Sequence, residues 1–392
     1  MMLLKNLSVL YGRELQYVNS TSISVSGNKF GKIGQNSGKA IDCEGLLLLP
    51  GFVNMHTHIG DSIAKDVTLA GSVDSKIHPI LGAKQRILRQ TKPDHLASFM
   101  KNSCLSMIRK GITTFVDFRE GGPAGISLVR QALENVPIRA IILGRIESYH
   151  DKSQIKKNLP LSDDAKKTLL QVLKNSDGIG ISGANENSDS ALRYYSRTKK
   201  IRAIHSSETL QSVTVSKKLT KKSETSRALQ LRPHFLVHMT FASRSDLNLA
   251  SKKSRGIVIC PRANSSLAEG IPNFEEMSKA GCILGIGTDN VMINSPDMFR
   301  EMDYLWKAHM GLYKKRIDPK EILKMATTNG GLLLGKKIGS ILPGFLADGI
   351  FIDKHSLDLE PMHNPHASLV HRATESAISA VMIGGKIVHG KL

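Results

Sequence analysis

The sequence predicts an α/β protein built on a (β/α)8 barrel of the TIM type, with a small β domain made from both chain ends. Between residues 51 and 339, short apolar runs alternate with helix-period segments, which is typical of a parallel sheet covered by helices. Eight such runs occur, and eight repeats favour a closed barrel over an open sheet. Residues 1–50 and 340–392 are instead rich in short strand-like segments.

The two chain ends carry the pattern of an antiparallel domain. Residues 5–9, 22–25 and 29–33 hold β-branched or alternating side chains, separated by glycine-containing turns. Residues 347–352 and 377–388 are also rich in β formers, and the second segment contains a Gly-Gly hairpin turn. One composite β domain beside the barrel is the simplest way to pair these strands.

The barrel region presents its strand candidates in regular succession. Helical segments lie between them, at 95–110, 124–134, 163–174 and 274–279. Each strand candidate is short and mostly apolar, as expected for strands that are covered on both faces. The candidates cover 52–58, 113–118, 138–143, 178–182, 201–205, 235–238, 256–260 and 282–287.

Charge and cysteine usage narrow the classes of partner. The chain has 54 Lys and Arg against 34 Asp and Glu, a formal net charge of +20, which attracts polyanions. No dense basic tract with interleaved aromatics occurs, so we expect solvated lysine-bearing helix faces and no nucleic-acid partner. No run approaches the roughly 20 apolar residues that span a bilayer, so no membrane partner is expected. Four scattered cysteines without a Cys-x-x-Cys pair indicate a reducing, cytoplasmic location.

The sharpest chemical signal is the pair His56 and His58 at the end of the first strand candidate. Alternate strand residues face the same side, so both imidazoles should point together. At the carboxyl end of a barrel strand they would point into the mouth, where barrel enzymes place their chemistry. Two neutral imidazoles on one strand favour a borderline divalent cation such as zinc.

Three further residues stand where strands give way to loops. His205 ends the fifth candidate strand, His238 ends the sixth, and Asp289 follows the eighth. Because the carboxyl ends of barrel strands share one mouth, these side chains should converge with the first two histidines. Three histidines and one carboxylate suit a zinc ion with an open position for water.

Glu208 lies three residues after His205. If the strand ends at His205 and a turn follows, this carboxylate reaches the attacking water and shuttles protons to a leaving nitrogen. The alternative is an acid near a helix N-terminus that is favoured by the helix dipole.

The order of these motifs resembles that of the amidohydrolase superfamily, metal-dependent barrel hydrolases with a flanking β-sandwich made from both chain ends. The opening signature, Pro-Gly-Phe-Val-Asn-Met-His-Thr-His, occupies residues 50–58. The resemblance covers nearly the whole chain. Further matching motifs stand at 111–117, 205–208, 237–238, 260–264, 285–289, 339–348 and 381–386.

Within the superfamily, the His-x-x-Glu motif resembles the branch of cytosine, guanine and S-adenosylhomocysteine deaminases, with triazine chlorohydrolases and imidazolonepropionase as near relatives. Binuclear members carry a carbamylated lysine on the fourth strand, whereas residues 178–183 here contain no lysine. The resemblance therefore implies one divalent ion, zinc in the first place, with iron as the alternative.

The resemblance also implies a role for each residue of the constellation. Glu208 would transfer protons, and His238 would hydrogen-bond the attacking water or the developing oxyanion. Asp289 would act as a base toward the water in addition to binding the metal. The implied metal ligands are His56, His58, His205 and Asp289.

The chain also departs from the family pattern. Adenosine-type deaminases of this branch carry a Pro-His-Ser-type motif after the fourth strand, whereas residues 183–188 read Gly-Ala-Asn-Glu-Asn-Ser, which argues against S-adenosylhomocysteine as substrate. Polar residues follow several barrel strands and are either substrate readers or partners in loop salt bridges. The candidate substrate readers are Arg119, Arg145 and Asn185.

Taken together, these features predict a cytoplasmic mononuclear hydrolase that acts on C–N bonds other than peptide bonds. Hydrolytic deamination of an amino-substituted N-heterocycle of purine or pyrimidine type fits best. The alternatives are hydrolysis of a cyclic amide or of a chloro-heterocycle and, in another class, an inactive basic binding protein on the same scaffold. The complete ligand set argues against the inactive protein. Homo-oligomerisation stays open.

Overall fold

The computed structural model describes residues 2–35, 39–67 and 82–392. Within them the chain forms one parallel sheet of nine strands and one mixed sheet of eight strands, the second from both chain ends. The predicted fold class is confirmed. The strands are β1 (Met2–Tyr11), β2 (Gln16–Ser26), β3 (Lys29–Ile33), β4 (Lys39–Asp42), β5 (Leu46–Pro50), β6 (Phe52–His58), β7 (Ile112–Arg119), β8 (Arg139–Gly144), β9 (Gly178–Ile181), β10 (Ile201–Ser206), β11 (Phe235–His238), β12 (Gly256–Ile259), β13 (Leu284–Ile286), β14 (Asp289–Asn290), β15 (Gly349–Asp353), β16 (Ile378–Ile383) and β17 (Lys386–Gly390).

The parallel sheet follows chain order from β6 to β13. Its eighth strand is divided: β13 pairs with β12, whereas β14 pairs with β6 and sets Asp289 opposite Thr57. The sheet therefore returns to its first strand, and the carboxyl ends of the strands share one mouth. Gly287 connects the two parts of the strand. A Cβ atom on Gly287 would lie 2.6 Å from the Cβ of His56, so this close approach requires glycine.

The terminal sheet runs in the order β17-β16-β15-β5-β1-β2-β3, with β4 paired to β1. Alternation places the two faces of this sheet in different cores. Leu48 packs in a cluster of the terminal sheet alone, whereas Leu47 and Leu49 join the cluster that also packs the barrel helices. Because that cluster is shared, the division into 1–50 with 340–392 and 51–339 stays a prediction.

Helices and short 3-10 turns connect the strands. Several begin at a serine whose hydroxyl accepts the backbone N–H three residues on, as Ser162, Ser188 and Ser243 do. No helix in the described part of the chain is long and apolar enough to cross a membrane. The α-helices are Ala83–Gln90, Pro93–Arg109, Gly122–Ala132, Lys152–Lys156, Asp163–Asn175, Asp189–Tyr195, Leu210–Thr220, Glu224–Ala228, Arg244–Lys253, Pro261–Ser266, Phe274–Lys279, Met298–Tyr313, Pro319–Ala326, Thr328–Leu334 and Pro365–His371.

Candidate metal centre

Four predicted ligands meet at the barrel mouth. His56 Nε2 lies 3.2 Å from both His205 Nε2 and Asp289 Oδ1. His58 Nε2 lies 3.4 Å from His205 Nε2 and 3.5 Å from Asp289 Oδ1. A tetrahedral ion with bonds of about 2.0–2.1 Å separates its ligand atoms by about 3.3 Å. The four atoms therefore have the spacing that a divalent metal ion requires.

Backbone carbonyls fix the orientation of two of the imidazoles. His205 Nδ1 lies 2.9 Å from the carbonyl oxygen of Ile181, and His58 Nδ1 lies 3.2 Å from that of Phe118. A carbonyl can only accept, so each Nδ1 carries the proton and each Nε2 presents its lone pair to the centre. His56 Nδ1 is buried and has no hydrogen-bond partner among the described residues.

Burial sets the protonation states that metal binding needs. Burial lowers the pKa of His56 to about 3 and lowers the pKa of His205 well below its usual value, so both rings are neutral at pH 7. Burial acts in the opposite direction on Asp289, but the hydrogen bond from His56 and the charges of nearby histidines lower the pKa of its carboxyl. Neutral imidazoles beside an ionised carboxylate form a typical ligand set.

Glu208 and His238 lie beside the four ligands. Single side-chain atoms of Glu208, His238 and Asp289 lie within 4.8 Å of one another, and Glu208 Oε2 is 3.6 Å from His238 Nε2. Burial raises the pKa of Glu208, and its Oε1 is buried without a hydrogen-bond partner in the described part of the chain. Asn264 Oδ1 lies 3.2 Å from His238 Nδ1 and holds that ring in place. A carboxyl with a raised pKa is suited to carrying a proton.

Left-handed backbone conformations mark the strand ends of the site. Ser207, His238 and Asp289 have φ values of 50°, 70° and 60°. Such angles are uncommon outside glycine and are retained where the surrounding structure fixes them, often at functional sites. Here they turn the chain just where a strand delivers a side chain to the mouth.

The three candidate substrate readers occupy different places. Arg145 and Asn185 line the pocket above the metal centre, and the Asn185 amide donates to the carbonyl of Ser212 at 2.9 Å. Arg145 Nε is buried and has no hydrogen-bond partner among the described residues. Arg119 is not among the pocket-lining residues, and its Nη2 instead lies 2.9 Å from Glu120 Oε2. Its role in substrate binding stays a prediction without support from this position.

A buried ion network next to His58 was missed by the sequence analysis. Glu120 Oε1 lies 3.2 Å from His58 Nδ1 and contacts the ammonium of Lys84, which is 3.3 Å from Asp61 Oδ2. Asp61 in turn accepts a 2.7 Å hydrogen bond from Asn290, next to Asp289. Lys84 lies on a helix outside the barrel strands, so no strand-end pattern pointed to it. Asp61 follows the first strand and could have been found by its position.

Protein relatives agree with this geometry. A model of the amidohydrolase family matches residues 47–388. A protein of Methanothermobacter thermautotrophicus, whose name assigns it provisionally to the aminohydrolases, is 38% identical over 90% of this chain and 89% of its own length. A 5-methylthioadenosine/S-adenosylhomocysteine deaminase of Thermococcus sibiricus is 28% identical over 98% of this chain and 93% of its own length.

Solved structures show the same fold at low sequence identity. The zinc complex of atrazine chlorohydrolase from Arthrobacter aurescens TC1 superposes with a TM-score of 0.85 and 18% identity, over 100% of this chain and 95% of that one. A zinc-bound adenosine deaminase from Xanthomonas campestris gives 0.82 and 20% identity, over 98% and 92%. The family match, the barrel and a ligand set suited to a divalent metal ion agree. The chain belongs to the amidohydrolase family, hydrolases that act on carbon–nitrogen bonds.

Proposed function

We propose that this protein is a hydrolytic deaminase of an amino-substituted N-heterocycle that uses one zinc ion. The observation that carries the proposal is the Glu208 carboxyl, which is buried beside the predicted ligands and whose pKa is raised. Loss of an amine needs a proton donor at the reacting centre, and this carboxyl lies where such a donor is required.

The metal site supports the choice of a single zinc ion. His56, His58, His205 and Asp289 would hold it, because their ligand atoms have tetrahedral spacing. Nitrogen and oxygen donors of this kind suit zinc, and solved neighbours carry it. A bound divalent ion supplies Lewis acidity and lowers the pKa of water toward 7.

The protein groups divide the proton transfers between them. Asp289 is ionised and takes the proton of the attacking water. Glu208 delivers a proton to a ring nitrogen of the substrate, so that the carbon bearing the amino group accepts the oxygen and ammonia leaves. His238, oriented by Asn264, donates to the oxygen that develops negative charge.

The names of the relatives support a small heterocyclic substrate. The Thermococcus sibiricus protein is named for deamination of 5-methylthioadenosine and S-adenosylhomocysteine, and guanine deaminase from Escherichia coli has the same fold with a TM-score of 0.80. Residues 183–188 lack the histidine motif expected of the adenosine type, so we place the substrate among other aminated purines, pyrimidines and pterins.

The proposal is tested by measuring ammonia release from a panel of aminated purines, pyrimidines and pterins with the metal-loaded protein. The metal-stripped protein and the protein reloaded with zinc serve as matched controls. Ammonia release that is lost on stripping and restored by zinc supports the proposal. Chloride release from a chloro-heterocycle, or opening of a cyclic amide without ammonia release, would replace deamination by one of the two alternative hydrolyses.

A further inference from the structure

A second cavity lies away from the metal centre and its charged lining is wholly positive. This basic groove has a volume of about 1010 Å³. Serine, glutamine, proline, leucine and tyrosine side chains complete its lining, and no carboxylate is among the lining residues. The cations that line the basic groove are Lys166, Arg193, Arg197, Arg232 and Lys253.

The basic groove lies at the opposite end of the barrel from the metal centre. Arg232 stands three residues before the first residue of β11, and Lys253 stands three before that of β12. Arg197 stands four residues before the start of β10. Since the metal ligands lie at the carboxyl ends of the strands, a molecule in the basic groove would leave the barrel mouth open.

Most of the charge in the basic groove is uncompensated. Lys166 forms an ion pair with Asp163, with 2.8 Å between Nζ and Oδ1. The other four cations form no ion pair within the described residues, so their mutual repulsion is not offset by the protein itself. An anion bound among them would relieve it. These four cations are Arg193, Arg197, Arg232 and Lys253.

Neighbouring groups show the same excess of positive charge. Burial and the charges of Arg232 and Arg255 lower the pKa of Arg202, which lies at the edge of the groove in β10. The guanidinium of Arg197 lies 4.9 Å from the centroid of the Tyr194 ring, so it is held by a cation–π contact and not by a carboxylate. The region is thus preset for negative charge.

We propose that the basic groove binds a small polyphosphorylated ligand of the nucleoside triphosphate class. Several guanidinium and ammonium groups that converge on one cavity match consecutive phosphates. The volume corresponds to that of small-ligand sites, which reach about 1,000 Å³. A long nucleic acid would instead favour a basic stripe along the surface, which a single groove does not provide.

Binding of ATP, AMP and inorganic triphosphate to the full-length, metal-loaded protein tests this proposal by calorimetry. ATP and triphosphate should bind at least about tenfold more tightly than AMP, and their affinity should fall as salt rises. Arg193→Gln/Arg232→Gln should weaken ATP binding by at least about tenfold, because each lost charge–phosphate contact weakens binding by several-fold or more. Lys217→Gln/Lys218→Gln removes the same charge from an exposed helix outside the groove and should change the affinity less than twofold, a ratio set by screening.

Three results would overturn the proposal. They are no ATP binding at millimolar concentration in low salt, equal losses in the two double variants, and a single-stranded RNA that binds far more tightly than ATP and depends on the groove residues. Bound metal and melting temperature are measured on every variant, so that a misfolded protein is recognised. None of the lining residues belongs to the pocket at the metal centre, so the result is independent of the deaminase proposal.

Discussion

His56 Nε2 faces His205 Nε2 at 3.2 Å, although 149 residues separate the two histidines in the chain. Two neutral imidazoles have no reason to direct ring nitrogens at each other unless a hydrogen or a cation lies between them. Both rings are buried, and the Asp289 carboxylate stands 3.2 Å from the same nitrogen of His56. The folded chain thus brings together the donors of a cation site.

Replacing a histidine of this set should remove the metal. His58→Ala leaves three ligands, and we expect the affinity for zinc to fall by at least about 100-fold, since even outer-shell changes cost 10–100-fold. Elemental analysis of purified protein should give about one divalent ion per wild-type chain and little in the variant, as the four-ligand geometry requires. The exposed His355, whose change to Ala should leave metal content intact, provides the control. Two ions per active chain would contradict the mononuclear site.

Glu208→Gln should separate metal binding from catalysis. The amide keeps the shape of the side chain but carries no proton at neutral pH, so we expect kcat to fall by at least about 100-fold while the metal stays bound. Ammonia release and metal content measured on the same sample check this, with the exposed Glu134→Gln as control. Near-wild-type turnover in a metal-loaded Gln variant would remove Glu208 from the mechanism.

The strand pattern predicted the barrel, but not the direction of every site residue. His205 follows simple alternation, because Ala203 two residues earlier lies in the cluster inside the barrel. His56 does not: Val53 and Met55 belong to that same cluster, so alternation alone would send His56 outward.

Local irregularities account for the difference. The pairing of β6 with β7 shifts register between Asn54 and Thr57, which brings His56 and the residue two places on into the mouth. His238 also follows an inward-facing residue, Val237, and reaches the site through its left-handed φ of 70°. Apolar periodicity cannot reveal a bulge or a left-handed residue, since both depend on contacts between distant strands. The Lys84 network was missed for the same reason.

Lys84 should matter for stability because of its burial. Its side chain is 3% exposed and lies between the carboxylates of Glu120 and Asp61. Lys84→Met would leave both carboxylates without this cation, and removing one partner of a buried ion pair costs about 3–5 kcal/mol. Chemical denaturation should show this loss, whereas Lys167→Met, at an exposed pair with Asp164, should change little. An equally stable Lys84→Met protein would show that the network is not needed for folding.

The last prediction concerns Glu224, a buried carboxyl in the pocket wall that the proposed chemistry does not use. Burial raises its pKa from 4.5 to about 7, although it accepts hydrogen bonds from the backbone of Ser207 and the hydroxyl of Ser212. Between these pH values the folded protein binds more protons than the unfolded chain. The contribution of this group to stability is therefore complete below pH 4.5 and is lost as the pH rises toward 7.

Glu224→Gln removes this titration, because an amide stays neutral at every pH in the range. The free energy of unfolding of the wild type should consequently fall relative to that of the variant by up to about 1.4 kcal/mol for each pH unit between 5 and 7. Urea denaturation of both proteins at several pH values measures the difference. The exposed Glu134→Gln variant should run parallel to the wild type, because its carboxyl is in water in both states. A constant difference between wild type and Glu224→Gln over this range would show that the carboxylate is already ionised in the folded protein, held by Ser207 and Ser212.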